Sequence, residues 1–502
     1  MQGLSILQEN NFNKGYNDQT KAELLPKGFC ADALNCWLNN QTIEKRTGYS
    51  LAGDDPSIAK PILSLIATRP GGTEYLHRAR DTANGANSVV EYWSGTGNWT
   101  SVTGATTQTA GKDHWFITAN NALYIGNDTD AVLKSTNGTS TSATSGFPIG
   151  VDARWFHNYF FVVTAAGRLY WSSLNDPDTW NAADYIDINP NDGDVVIGLG
   201  ILKDELFIFK KNRIWALTGF GASDFTVADM KERLTGGGAQ SKNSIIETAN
   251  DIYFLVHTGD IPHFTSILRT QYGQIVAGAI ISDVIEGSMG RLVKSQLDNC
   301  AGIFDGRRIW WAITTSGTTN NEVFVYDEPT KGWTRHTGIN ASCWAISPLV
   351  TNKKVYFGEA TNDALVYKLD TSTSDNGTAI DMQFKTPMYA PYPERKSKWK
   401  YLQIACDVLS GGSLDVDYSI DGFDLNDLAT LTLTGTSGTL PLTLDTGRLG
   451  TATIVRERID FAGGVAYKMQ YRFRNNTTTD SVRIREYQIM YKPKGLRAVN
   501  EA

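Results

Sequence analysis

The chain has 502 residues, of which 20% are charged and 41% hydrophobic, with a formal net charge of −7. That length is too great for one small core and predicts two or three domains. The acidic balance excludes a protein that wraps nucleic acid through a basic surface, although it leaves room for an acidic wall along which a polyanion slides.

The first 55 residues read as a lead-in. The polar start, MQGLSILQENNFNKGYNDQ, lacks an apolar h-region, so no signal peptide is expected. Two short strands follow, Ala33–Leu38 and Thr42–Arg46, meeting at Asn39-Asn40 as a hairpin. A lone hairpin is marginal in water, so this one must pack on another part of the chain.

Residues 56–372 repeat. The stretch Trp155–Gly219 contains one pattern twice: HNYFFVVTAAGRLYWSS turns at Ala165-Ala166-Gly167, and KDELFIFKKNRIWALTG turns at Lys211-Asn212. Taking the second strand of each pair as a ruler gives units starting at Val89, Ala122, Arg168, Arg213, Asp260, Glu322 and Ala364. The equivalent positions Leu123, Leu169, Ile214, Ile261, Val323 and Leu365 are separated by 46, 45, 47, 62 and 42 residues. A period in the forties built of strand pairs and turns predicts an irregular β-propeller of six or seven blades. The aromatic content, 13 Trp, 21 Tyr and 20 Phe, suits a pleated surface, and 47 Gly suit many turns. The long step holds ISDVIEGSMGRLVKSQLD, a short helical insertion near 282–295. Ser282 is the expected cap, and Ile285, Met289 and Leu292 share one face.

Residues 373–502 follow a TSTSDNGT linker and change texture. SLDVDYSIDG, TLTLTG, LPLTLDTG, ATIVRERIDF, KMQYRFRN and RIREYQIMYK read as strands of an antiparallel β-sandwich, ending in a polar tail. In KMQYRFR the alternation places Met469, Tyr471 and Phe473 on one face and Gln470, Arg472 and Arg474 on the other. The fold class is therefore all-β. No run of about 18 apolar residues occurs, so no membrane span is expected.

Few residues offer chemistry. Cys30, Cys36, Cys300, Cys343 and Cys406 include no CxxC pair and read as reduced core thiols of a protein made in a cytosol. Asp187–Asp194, DINPNDGD, resembles a calcium loop, but Asp192 stands where an EF-hand needs Gly and Gly198 where it needs Glu. An Asx-rich turn is the expected reading, with an ion at that loop left open. His257 and His263 lack a companion carboxylate or thiol. Leu234–Gln240 carries three glycines without the strand-to-helix setting of a phosphate loop. Asp204, Asp251 and Asp305 sit where hairpins begin and single out no acid pair for glycoside hydrolysis. PYPERKSKWKYLQI, Pro391 to Ile404, is the one basic run, with Arg395, Lys396, Lys398 and Lys400 around Trp399; it suits a nucleic-acid backbone, a solvated strand lead-in or a subunit contact. No residue is assigned a catalytic, cofactor-binding or metal-binding role, and no enzyme activity is expected.

The hairpin ALNCWLNNQTIEKRTGY, the blade text RLYWSSLNDPDTW with GDVVIGLGILKDELFIFKKNRIWALTG, and the ending EYQIMYKPKGLR together resemble the tail nozzle, or tail hub, proteins of short-tailed bacteriophages. The resemblance covers most of the chain and rests on order and texture. It implies a propeller combined with a platform-like β domain built from the chain termini. It further implies a virion tail protein forming a ring, as a hexamer, below the portal and adaptor. That ring would enclose the channel for ejected double-stranded DNA and anchor fibres, spikes or a plug. A glycan-recognising, receptor-binding propeller is the alternative of a different class, and a propeller glycosidase a third.

Overall fold

The computed structural model describes residues 4–39, 41–190, 192–230, 237–269, 275–347, 353–361, 363–407, 412–432, 454–461 and 464–494. The chain divides into two units. One comprises Ser50–Val325 and Gly338–Asp370; the other comprises Met1–Tyr49, Tyr326–Thr337 and Thr371–Ala502.

The first unit is a β-propeller. Six of its sheets have four or more strands among the described residues. They begin with Ile62–Thr68, Trp115–Ala119, Asp152–Phe156, Val196–Leu202, Ile246–Glu247 and Ala341–Ile346. A further sheet, between the last two of these, carries Ala301–Phe304, Arg308–Ile313 and Glu322–Asp327. The seven innermost strands touch in sequence, and Ala341–Ile346 returns to Ile62–Thr68, so the circle closes. The N-terminal segment Gly48–Leu51 supplies the fourth strand of the last blade.

Each blade is covered on both faces, which is why its central strands read as unbroken apolar runs rather than alternating ones. Tyr159–Val163 is buried at every position. The cores lie between blades: Phe161, Leu169 and Trp171 of one meet Leu199, Leu206 and Ile208 of the next. Each such side chain contributes about 1.5–3 kcal/mol on burial. The turn at Gly167 needs its glycine: φ is +89°, and an added Cβ would stand 3.0 Å from the Ile188 carbonyl oxygen.

The repeat ruler needs one correction. Asn87–Trp93, Arg168–Ser173, Ile214–Thr218, His263–Arg269, Glu322–Asp327 and Val366–Ser372 are all third strands, but Ala122–Gly126 is the second strand of its blade. That blade's third strand, Leu133–Ser135, is only three residues long. The loop before it is an Asn127–Asp130 turn knotted by Asn127 Oδ1 accepting from the Thr129 and Asp130 N–H groups. The aromatic second strand therefore looked like a third. Ile261 likewise precedes its strand, which starts at His263.

The insertion is less helical than its pattern suggests. It consists of a 3-10 turn Asp283–Ile285, a four-residue helix Glu286–Met289 and a 3-10 stretch Lys294–Asn299. Ile285, Met289 and Leu292 are buried as expected. Ser282 does not cap the helix; its Oγ accepts the Phe264 N–H at 2.9 Å and so ties the turn to the neighbouring strand.

The second unit is two sheets with an aromatic core between them. One sheet runs Cys36–Asn39, Thr42–Lys45, Arg483–Pro493, Ser397–Asp407, Ile454–Asp460, with Ser5–Glu9 also on Arg483–Pro493 and Val465–Ala466 on Ser397–Asp407. The other runs Gly332–Thr337, Asp32–Leu34, Met382–Lys385, Met469–Asn475, Ser413–Ile420, Asn426–Thr432. Phe473 of the second sheet meets Tyr487 of the first with ring centroids 5.3 Å apart, and Phe12 stacks on Tyr487 at 5.8 Å.

Three expectations change here. The first strand of the N-terminal hairpin is not continuous: Asn35 adopts φ +52° and splits it into Asp32–Leu34 and Cys36–Asn39, which join different sheets. Gln470 does not face outward with its arginines; it is buried, and its Nε2 donates to the Thr386 carbonyl at 2.7 Å. The polar start includes a strand, Ser5–Glu9, running antiparallel to Tyr487–Tyr491. The LPLTLDTG segment at 440–447, Asn40 of the hairpin turn and the tail from 495 lie outside the described residues.

Candidate functional site

The residues flagged for chemistry are mostly spoken for. In Asp187–Asp194 the carboxylates diverge to separate partners. Asp187 takes Arg168 Nε at 2.7 Å, Asp192 takes the Lys210 ammonium at 2.9 Å, and Asp194 accepts the Asn212 N–H at 3.0 Å. Lys210 holds Asp192 below the usual carboxylate range. These ties make the segment a pinned turn between blades. Asn191 within it lies outside the described residues, as do Leu234, Thr235 and Gly236 of the glycine-rich loop.

Asp305 accepts from the Arg307 and Arg308 backbone and, at 2.9 Å, from Trp310 Nε1. Asp251 accepts the Tyr253 hydroxyl, and Asp204 sits in the two-residue turn between Leu202 and Glu205. Each carboxylate belongs to its own hairpin. His263 pairs across its hairpin with Val256, placing His257 in the adjoining turn. Among the described residues no group of three His, Cys, Asp or Glu side chains is placed to share a metal ion. All five cysteines are free and buried, and burial pushes the Cys343 and Cys406 thiols up to about 12.

The basic run forms an outward face rather than a loose patch. Trp399 is fully buried, so Lys398 and Lys400 on either side of it point the other way. Arg395 stacks on Tyr392 at 3.9 Å, and Lys396 stands 5.3 Å over Tyr467. Strand pairing sets Lys398 opposite Lys492 and Gln403 opposite Arg458. Arg456 and Arg458 are 61% and 58% exposed and pair with Glu486 and Asp460. Scattered through the sequence, Arg456, Arg458 and Lys492 carried no local signal; only the register gathers them. Four cations partly offset by two acids make a face that would hold a phosphate backbone weakly.

Two concavities of the propeller were not legible. One, of about 210 Å³, is lined by the innermost strands of several blades, including Asp152, Arg154 and Lys242. The other, of about 250 Å³, is lined by Glu74, Trp93, Lys354 and Tyr356 among others. The first had a faint signal, the alternating charges of Asp152-Ala153-Arg154 where a blade-opening strand should be apolar.

Residues 83–374 match the protein family described as Bacteriophage P22 Gp10, beta-propeller. The chain belongs to this family. That membership agrees with the ring of blades described above and makes the protein a bacteriophage structural protein. No curated protein matches the chain. Among solved structures it is similar to the Neurospora crassa Pan2 WD40 domain, with 8% identity, a TM-score of 0.42, and coverage of 65% of this chain and 94% of that one. It is similar also to the WD40 domain of Toxoplasma gondii coronin, with 10% identity, a TM-score of 0.40, and coverage of 68% and 86%. Saccharomyces cerevisiae Sqt1 gives 11% identity, a TM-score of 0.39, and coverage of 64% and 98%. Among the described residues no helix is long and apolar enough to cross a membrane.

Proposed function

We propose that this chain is the nozzle, or hub, at the distal end of a short phage tail. In this reading it forms a ring, as a hexamer, around the channel through which double-stranded DNA leaves. It joins the adaptor and portal side of the tail and anchors fibres, spikes or a plug. It is made in the host cytoplasm and works in the virion, and its task is geometric rather than catalytic.

Membership of the phage propeller family carries the reading. The unit built from both chain termini supports it, because it carries two features suited to ring building. Ser5–Glu9 pairs on one side with Arg483–Pro493, and Leu4 and Ile6 beside it are 56% and 58% exposed. An edge strand with exposed apolar side chains is a pairing template. The second feature is the weakly basic face around Lys398, Lys492 and Arg456, which suits brief contact with a passing phosphate backbone. Native mass spectrometry of the purified chain, alone and with its adaptor, tests the ring: a closed oligomer of six copies is expected, and a strictly monomeric chain under both conditions overturns it.

A second reading, a glycan-recognising propeller, draws on the 250 Å³ cleft, where Trp93 and Tyr356 approach edge-to-face at 6.4 Å beside Glu74 and Lys354. Aromatic faces flanked by polar groups suit a sugar ring. Specific binding on a glycan array, lost on Trp93→Ala, would favour it over the nozzle.

A further inference from the structure

The cavity on the propeller's inner strands has a charge imbalance that its own hydrogen bonds do not resolve. Arg154 is fully engaged: Nε donates to Glu247 at 3.2 Å, Nη1 to Asp152 at 3.0 Å and Nη2 to the Leu199 carbonyl at 2.8 Å. The second oxygen of Asp152 accepts the Leu199 N–H at 2.8 Å. Those charges cancel. The indole N–H groups of Trp115 and Trp344, also on the lining, donate to the Gly150 and Ala301 carbonyls at 3.0 Å each. Lys242 differs. Its ammonium reaches only the Val151 carbonyl, at 3.5 Å, beyond the usual range of an N–H···O bond. A three-donor cation thus stands at a half-enclosed cavity with its charge uncompensated and most of its donors unspent.

The cavity's 210 Å³ far exceeds the ~10–15 Å³ that admits one water. Its walls combine the apolar Leu65, Phe116 and Ile245 with the Asn243 side chain next to Lys242. We propose that this cavity binds a small oxyanion, a carboxylate or phosphate of a few heavy atoms, with Lys242 as its principal counter-charge. Residues from at least five blades line the space, so a bound anion would act as a keystone joining the inner strands. The site is independent of the tail role: it requires only the folded propeller.

The test uses the full chain, with inorganic phosphate as the probe. Calorimetric titration at constant ionic strength should give one binding event per chain with a Kd of about 1 mM or tighter. Lys242→Met keeps the stem of the side chain and should weaken binding by about tenfold or more, the worth of a charge-assisted hydrogen bond, while Lys242→Arg should retain it. Unchanged binding in Lys242→Met, or no binding by the native chain at 20-fold the expected Kd, about 20 mM, overturns the proposal. Crystals of the unsubstituted chain soaked in selenate give a second readout that needs no variant. An anomalous peak within hydrogen-bond reach of Lys242 Nζ supports the site, and peaks elsewhere only contradict it.

Discussion

Arg46 and its neighbour Lys45 show how the second unit depends on single buried cations. Arg46 is buried and spends its guanidinium on Asn35 Oδ1 at 2.9 Å, the Thr337 carbonyl at 2.8 Å and both oxygens of Asp375. Asn35 in turn donates to Thr337 Oγ1 and the Asp381 carbonyl. Burial raises the Asp375 carboxyl even with Arg46 beside it. Replacing Arg46 by Met strands that carboxylate, and unfolding by denaturant should show a loss of about 3–5 kcal/mol. Lys45 donates to Asn475 Oδ1 at 2.6 Å and the Thr477 carbonyl at 2.7 Å, and burial pulls its ammonium down to about 8. An unfolded lysine titrates near ~10.4, so between these values the unfolded chain binds more protons than the native one. The Lys45 contribution is therefore present above about 10.4 and is lost as the pH falls through about 8. Measured as the difference in urea stability between the native chain and Lys45→Met, it should rise from pH 8 to 10, with the opposing slope of the buried cysteines cancelling.

At the scale of elements, the first blade carries the charges that join it to the last. Glu91 accepts Arg78 Nε at 2.7 Å and Arg80 Nε at 3.0 Å, and Arg78 Nη1 donates to the Ala364 carbonyl at 2.9 Å across the closing seam. Arg78 also lies 4.2 Å over the Trp99 ring. Glu91→Ala leaves two buried guanidinium groups without their anion and should cost about 3–5 kcal/mol, read as a lower melting temperature of the propeller. His77 of the adjacent strand is neutral because burial pulls its imidazole down to about 4, and its Nε2 lies 2.8 Å from the Gly138 carbonyl. A depressed histidine favours folding above its unfolded value of about 6.5 and loses that contribution as the pH falls through about 4. The propeller should melt earlier in stages from pH 6.5 to 4, and His77→Gln should flatten part of that slope. The strand pairs of Trp155–Gly219 were legible because unbroken apolar runs and turn residues are local signals. Leu133–Ser135 was hidden because three residues carry no period, and the break at Asn35 because its cause is the distant Thr337 and Asp381. Likewise Lys242 and the Arg456–Lys492 face owe their character to neighbours far along the chain, which no spacing rule reports.

For the whole molecule, the division of labour follows from where the termini go. Ser50–Val325 and Gly338–Asp370 make the propeller, while residues before 50 and after 370 build a separate β unit around Phe12, Phe473 and Tyr487. A ring-shaped tail part needs one surface that repeats from copy to copy and another that faces partners, and two units can meet those needs separately. The most direct test is a cryo-EM reconstruction of the intact phage tail into which this chain is fitted. The account predicts six copies at the distal end of the tail, with a ring enclosing the DNA channel. Density for the chain only in the capsid, or only at the tip of a fibre outside the channel, would contradict it.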